Sequence, residues 1–320
     1  MHRERSENPA FAVMQANAAV QTGDGNGECW LWWEGDIPSL PNEKVGVIGN
    51  YRADSDEAGK QVLAEACEIL AAQGCTLAVG PMSGNTWRSY RFVTESDPAE
   101  PPFFLEPTNP ETYPTQWRDA GFSPLAEYYS TITTQLTDTD DRLERVRQRM
   151  RDVGVTFRAL AVESPEAAEA DLRAIYALSR TSFAQNFLYT PLPEEAFVAQ
   201  YRPLLPMLCP ELTLLAFVTD ASAENLVGYL FALPDFAEMQ RGEANRTVII
   251  KTLAVLPGRE WAGLGALLSE QCHHTAHDLG FTRAIHALMH QSNKSRNLSG
   301  IYDSRVIRRY TLYAKGLPQQ

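Results

Sequence analysis

The sequence predicts an α/β protein made of two consecutive units that divide near residue 150. Three observations lead there. Residues 247–289 run strand, glycine-containing turn, amphipathic helix, glycine stop and strand. Residues 44–79 follow the same plan in abbreviated form, a weak internal repeat. A chain of 320 residues, 44% of them hydrophobic, has enough apolar surface for two cores of ordinary size.

The elements follow in order. Residues 1–27 are polar and small, and Thr22 to Gly27 reads as a turn or loose loop. Trp30, Trp32 and Trp33 make 29–34 a strongly aromatic strand; core or inter-domain packing is their default role and a ligand platform the alternative. A short strand at 44–51 precedes a helix over 56–73, with Val62, Leu63, Ala66, Ile69 and Leu70 on one face. Gly74 stops it before a strand at 75–79. Residues 95–115, rich in proline and acidic residues, read as irregular loop, and 125–136 as β-like. The densely charged 138–151 reads as an exposed or linker helix. The second unit opens with a strand at 155–162 and a helix at 165–183 whose apolar face holds Leu172, Ile175 and Leu178. A second helix, 192–208, is interrupted by Pro203 and Pro206, and strands at 212–219 and 226–232 join in a polar hairpin.

In the segment that carries the repeat, Val248, Ile249, Ile250, Leu253, Val255 and Leu256 read as a strand buried on both faces and closed by Pro257 and Gly258. Leu264, Leu267, Leu268, Cys272, Ala276 and Leu279 recur at the helical period, and Gly280 sits at a left-handed cap. Gly263 and Gly265 let the turn approach a ligand without interference from a Cβ. A helix start beside a strand end offers backbone N–H groups to a phosphate ester. Spacing alone is met as well by an ordinary βαβ unit whose glycines only allow tight packing.

The net charge of −12 argues against nucleic-acid and anionic-membrane partners and mildly favours cationic or amine substrates. No run is long enough to span a bilayer, and the N-terminus carries no signal-peptide pattern. Cys29, Cys67, Cys75, Cys209 and Cys272 are odd in number and lack zinc spacing, which predicts free thiols in a reducing cytoplasm. His273 and His277, spaced i, i+4, lack a third metal ligand and read as partly exposed helix residues, so no metal is expected.

Leu253, Ala254, Val255, Leu256 and Pro257, followed by Arg259, Gly263, Gly265 and Ala266, resemble the acetyl-CoA-binding core of the GNAT (GCN5-related) N-acetyltransferase superfamily. There, a strand ending apolar-x-Val-x-Pro meets a Gln/Arg-x-x-Gly-x-Gly/Ala turn that opens a helix. Asn293, Ser295 and Tyr302 resemble the later Asn…Tyr segment of that family, and the likeness covers residues 155–316. In the first half, Asn109, Tyr113, Gly121 and Phe122 resemble the close of such a domain. Its turn, with Asp54, Asp56 and Glu57 around Gly59, is a poor pyrophosphate site.

The resemblance implies two GNAT-like domains, each a mixed, mostly antiparallel sheet flanked by helices. Residues 1–150 would form an abbreviated, degenerate domain that is structural or shapes the substrate site. Residues 151–320 would form a complete one that binds acyl-CoA. One departure is Glu260, three residues before Gly263, where the family has Gln or Arg. A carboxylate facing a pyrophosphate is unfavourable, so either the loop is shifted by a residue or cofactor binding is weakened.

The implied chemistry is transfer of an acyl group from acetyl-CoA, or another acyl-CoA, to a small-molecule or peptide amine. Backbone groups around Leu253 and Val255 would pair with the pantetheine arm and polarise the thioester. N–H groups of Gly263, Gly265 and Ala266 would hold the pyrophosphate, with Arg259 adding charge and Asn293 and Ser295 completing the site. Tyr302 is the candidate general acid, with Tyr310 and Tyr313 as alternatives and a packing role for Tyr302 equally open. No general base stands out: Lys251 and Thr252 stand on the central strand where a family glutamate is often found, leaving water, Glu243 or His286. The basic stretch Lys294, Arg296, Arg305, Arg308 and Arg309 reads as a solvated face, a nucleic-acid patch or an attractor for the cofactor's 3′-phosphate. The rival function is a non-catalytic acyl-CoA-binding or regulatory protein. No membrane partner is expected, a nucleic-acid partner is disfavoured, and homodimerisation stays open.

Overall fold

The computed structural model describes residues 15–219, 224–292 and 303–318. In the first half, β1 (Ala18–Gln21), β2 (Gly27–Trp32) and β3 (Val45–Ala53) lead into α1 (Asp56–Ala72) and β4 (Leu77–Gly80). Then come β5 (Phe92–Ser96), α2 (Tyr113–Asp119) and β6 (Ser123–Thr133). After α3 (Arg142–Asp152) the chain forms β7 (Val155–Ala159), α4 (Pro165–Phe183), α5 (Glu194–Tyr201), β8 (Thr213–Thr219), β9 (Glu224–Pro234) and α6 (Phe236–Gln240). It ends with β10 (Thr247–Val255), α7 (Leu264–Asp278), β11 (Arg283–His290) and β12 (Arg305–Gly316).

Local chemistry accounts for most of these boundaries. Ser55 Oγ accepts the Ala58 N–H at the start of α1, and Ser164 Oγ accepts the Ala167 N–H at the start of α4. α5 gives way at Tyr201 to a 3₁₀ turn over Arg202–Met207, because Pro203 and Pro206 supply no backbone donors for a continued α-helix. The stretch read as irregular from sequence, 95–115, is bounded by β5 and α2.

The sheet is mixed and mostly antiparallel, with helices packed on it. Its order is β1-β2-β3-β4-β12-β6-β11-β10-β9-β8-β7, and β5 also pairs with β12. The parallel pairs are β3 with β4 and β10 with β11. They bracket α1 and α7, so the repeat read from sequence is a repeat of strand, helix and parallel strand. The last strand of each half is interleaved with the other: β12 lies between β4 and β6, and β6 lies between β12 and β11. Residue 150 falls inside α3, whose Leu143, Val146 and Met150 pack into the core beneath α7. The halves therefore share one continuous sheet.

Candidate functional site

The site is a gap between β10 and β11. They pair from Thr247 with Arg283 to Ile250 with His286 and then part. β10 bulges between Ile250 and Thr252 and continues along β9. β11 shifts register between His286 and Met289 and ends against β6, with Leu288 taking the bend at φ 61°. The Leu256 N–H donates to Val227 O at 2.9 Å. Because bonded and non-bonded pairs alternate, Leu253 and Val255 point their N–H and C=O groups away from β9, toward the side β11 has left. Ser182 Oγ, at the end of α4, donates to Val255 O at 3.0 Å, in keeping with that orientation. A strand edge with outward amide groups is a template for an extended amide ligand.

The start of α7 sits against this strand end. Gly263 has φ +88°, and a Cβ there would lie 2.8 Å from Val146 Cγ1, so the position demands glycine. A Cβ on Gly265 would meet Leu253 Cδ2 at 3.4 Å and Val255 Cγ2 at 3.7 Å, ordinary contacts. The structure thus brings Leu253, Val255, Gly263, Gly265 and Ala266 together. The Ala266 N–H, assigned above to a pyrophosphate, donates to Gly263 O at 3.0 Å, so the anion cradle is narrower than expected. Arg259 and Glu260 are exposed at the loop tip, with the Glu260 carboxylate folded against Gly258. Asn293, Ser295 and Tyr302 lie outside the described residues.

The helix expected over 138–151 is α3, but sequence reasoning missed what it covers. It lies over the loop: Val146 touches Gly263, Arg149 donates to Ala262 O, and Arg147 pairs with Glu270 of α7. Its dense charge signals solvent exposure on one side but does not say what the other side covers.

On the sheet face opposite α7, where β10 and β11 bulge, a buried polar cluster closes the floor of the gap. Glu106 and Arg308, whose side chains are 2% and 3% exposed, pair at 3.0 Å. The Tyr310 hydroxyl donates to Glu106 Oε1 at 2.8 Å and lies 3.0 Å from Ser130 Oγ, which in turn accepts the Leu288 N–H. Arg91 stacks against Tyr90 and Tyr128, 4.0 and 4.1 Å from the ring centres. Burial pushes the Glu106 carboxyl up, opposed by Arg308. Lys251, in the β10 bulge, donates to Leu105 O at 3.3 Å. Burial lowers its pKa to about 8, Arg91 acts in the same direction, and Glu106 opposes.

This cluster corrects several sequence expectations. Tyr310, an alternative acid, is enclosed by Glu106 and Ser130, and Tyr313 packs in the core beneath α1. Arg305, Arg308 and Arg309 are spent on Asp97, Glu100, Glu106 and Glu95, so they form no open basic patch. Glu243 is exposed, paired with Arg241, and precedes β10, so it lies at the far end of the strand from the bulge. Glu106 and Arg91 carried no sequence signal, since each sits in a loop without periodicity.

No family model and no curated protein matches the sequence. Solved structures do. One is the GCN5-related glucosamine N-acetyltransferase region of a fungal multi-domain GH3 β-N-acetylglucosaminidase, at TM-score 0.55 and 13% identity, covering 92% of this chain. This chain spans 32% of that one, about a third of its length. Another is a GCN5-related N-acetyltransferase from Sphaerobacter thermophilus, at TM-score 0.52 and 14% identity, covering 98% of this chain and 84% of that one. The chain has the GNAT fold. At these identities the likeness is one of fold.

Within this GNAT fold the first half has a closed counterpart of the gap. A side chain at Gly59, near the start of α1, would run into the Tyr51 hydroxyl. That hydroxyl donates to Gln116 Oε1 at 2.8 Å, and Gln116 Nε2 donates to Asp56 Oδ1 at 3.1 Å. Trp117, fully buried, packs edge-on against Tyr51 and Phe92. α2 therefore packs beside α1 and fills that place in the first half; among the described residues no helix between β11 and β12 takes the corresponding place beside α7.

Under the α7 side of the gap, His273 and His286 face each other with their Nε2 atoms 3.0 Å apart. His273 is fully buried, which corrects the expectation of a partly exposed residue; His277 is exposed. One ring must donate and the other accept, so at most one of the two can be charged. Burial lowers the His286 pKa to about 4 and holds His273 well below its ordinary value. Folded pKa values below the unfolded one mean that the unfolded chain binds more protons as pH falls. Stability should be full above the unfolded histidine pKa of about 6.5 and fall below it, at about 1.4 kcal/mol per pH unit for each proton. Urea titrations from neutral pH down to pH 4 should show that slope, and His273→Phe combined with His286→Leu should flatten it. An unchanged slope in the double variant would assign the acid sensitivity elsewhere.

Proposed function

We propose that the chain is an acyl-CoA-dependent N-acyltransferase that moves an acyl group, acetyl in the simplest case, to an amine. The observation that carries this reading is the outward edge of Leu253 and Val255 in a gap that opens beside the glycine start of α7. In a GNAT fold that arrangement suits an extended pantetheine arm along the strand and a pyrophosphate at the helix start. Arg259, exposed at the loop tip, and Arg149, which donates to Ala262 O beside the helix start, would offset phosphate charge. On the far side of β11 an open groove of about 580 Å³, lined by Leu125, Glu127, Phe187 and His290, offers a carboxylate and aromatic rings to an amine.

In this reading residues 151–320 supply the cofactor side, and residues 1–150, with their own gap closed by α2, are structural and shape the acceptor side. Tyr302 remains the proposed general acid. None of the helices among the described residues is long and apolar enough to cross a membrane. The free cysteines fit a cytoplasmic setting.

A second reading, a non-catalytic acyl-CoA binder, is favoured by Glu260 at the loop and by the internally bonded Ala266 amide. Calorimetry with acetyl-CoA and a thiol-release assay across an amine panel separate the two. Binding with sustained thiol release is the expected result. Binding without release for any amine would favour the second reading, and no binding at millimolar acetyl-CoA would sink both.

A further inference from the structure

We propose that Lys251 is itself an acyl acceptor, its amine taking the acyl group from the thioester held along β10. The inference rests on the acyl-CoA reading above and names a covalent modification site within that gap. Lys251 is the bulge residue at the point where β11 departs, two positions before Leu253. At about 3.3 Å per strand residue that is roughly 7 Å of backbone, within the span of a lysine side chain.

The surroundings leave the amine reactive. Its hydrogen-bond partner is a neutral carbonyl, Leu105 O. The nearby Glu106 carboxylate is committed to Arg308 and Tyr310, and Arg91 adds a like charge that disfavours the ammonium form. The pKa near 8 leaves a usable neutral fraction at physiological pH. Residue choice points the same way. The chain has 23 arginines and five lysines. Arginine stays charged and cannot serve as a nucleophile. Lys44 and Lys315 donate to the C-cap carbonyls of α1 and α2, Gln73 O at 2.6 Å and Ala120 O at 2.7 Å, where the negative end of the helix dipole favours the ammonium form.

In the step, the neutral Nζ attacks the thioester carbonyl carbon. An N–C bond forms, the C–S bond breaks, and the sulfur leaves as thiolate. The proton lost by nitrogen goes to that thiolate through solvent, giving an amide and free coenzyme A. Acylation removes one positive charge beside Arg91 and Glu106.

The test incubates the full chain with acetyl-CoA and no added amine, then follows tryptic peptides by mass spectrometry. Acetylated Lys251 blocks cleavage and should appear as one peptide over residues 247–259. Its label should accumulate about tenfold or more faster than label on Lys44, Lys60 and Lys315. The rate should rise about tenfold per pH unit and level off near pH 8. Lys251→Arg should bind acetyl-CoA in calorimetry and lack the label in that peptide. Acetyl-CoA binding with Lys251 labelled no faster than the other lysines overturns the proposal and leaves the acyl-CoA reading standing. No binding at millimolar acetyl-CoA overturns both.

Discussion

Gly265→Glu is expected to lower acetyl-CoA affinity by about a hundredfold or more, roughly 2.7 kcal/mol, while leaving the chain folded. The position is chosen over Gly263 for a structural reason. Gly263 has positive φ and Val146 against it, so a side chain there adds strain to any binding effect. At Gly265 a Cβ makes only ordinary contacts with Leu253 and Val255. A glutamate in the first turn of α7 also agrees with the helix dipole, which favours the folded chain. The same carboxylate would stand where the proposed site places phosphate charge, and the repulsion acts on the ligand alone. Calorimetry of wild type and variant, with thermal unfolding as the fold control, decides the matter. Equal affinity would remove the α7 start from the cofactor site.

The second large effect concerns the floor of the gap. Glu106→Leu should destabilise the fold by about 3–5 kcal/mol, because it strands a buried guanidinium. Arg308 cannot easily escape to solvent: it is also held by Glu100 O at 2.6 Å and Ile307 O at 2.9 Å. The Tyr310 hydroxyl would lose its acceptor as well. Pairing Glu106→Leu with Arg308→Met should recover most of the loss, since replacing both members of a buried ion pair by apolar groups is often close to neutral. Denaturant unfolding of the single and double variants gives the coupling energy. A single-variant loss below about 1 kcal/mol would mean that water reaches Arg308 and the cluster is not the closed floor described above.

What could be read from the chain was whatever repeats at short range. The apolar runs at 44–51 and 247–256, the helical faces that follow them and the glycine stops at Gly74 and Gly280 all became strand, helix and parallel strand. The core of the site is local in the same sense. Leu253, Val255, Gly263 and Gly265 fall within one turn that joins one strand to one helix, so their spacing already implied their proximity. The weak repeat was legible because both copies bury the same helix face against the same strands.

The remainder rests on contacts between distant segments. Glu106 meets Arg308, His273 meets His286, and Arg91 reaches the backbone of Leu288. Each partner lies where no periodicity points to the other. The α2 residue Gln116 closes the first gap across 65 positions, from Tyr51. Exposure was misjudged at His273 because a helical polar residue reads as solvent-facing until its neighbour on the sheet is known.

By itself, then, the sequence determined that this protein is a mixed α/β chain with two strand–helix–strand units, the second with a glycine-opened helix start. Tertiary structure alone decided that β6 and β12 interleave into one sheet, that α2 plugs the gap of the first half, and that a lysine stands in the bulge where β10 and β11 part. The physical reason is that residue patterning reports how often a side chain must be buried, whereas a strand edge pairs through backbone groups that every residue carries. Which edge meets which is settled only when the whole chain packs.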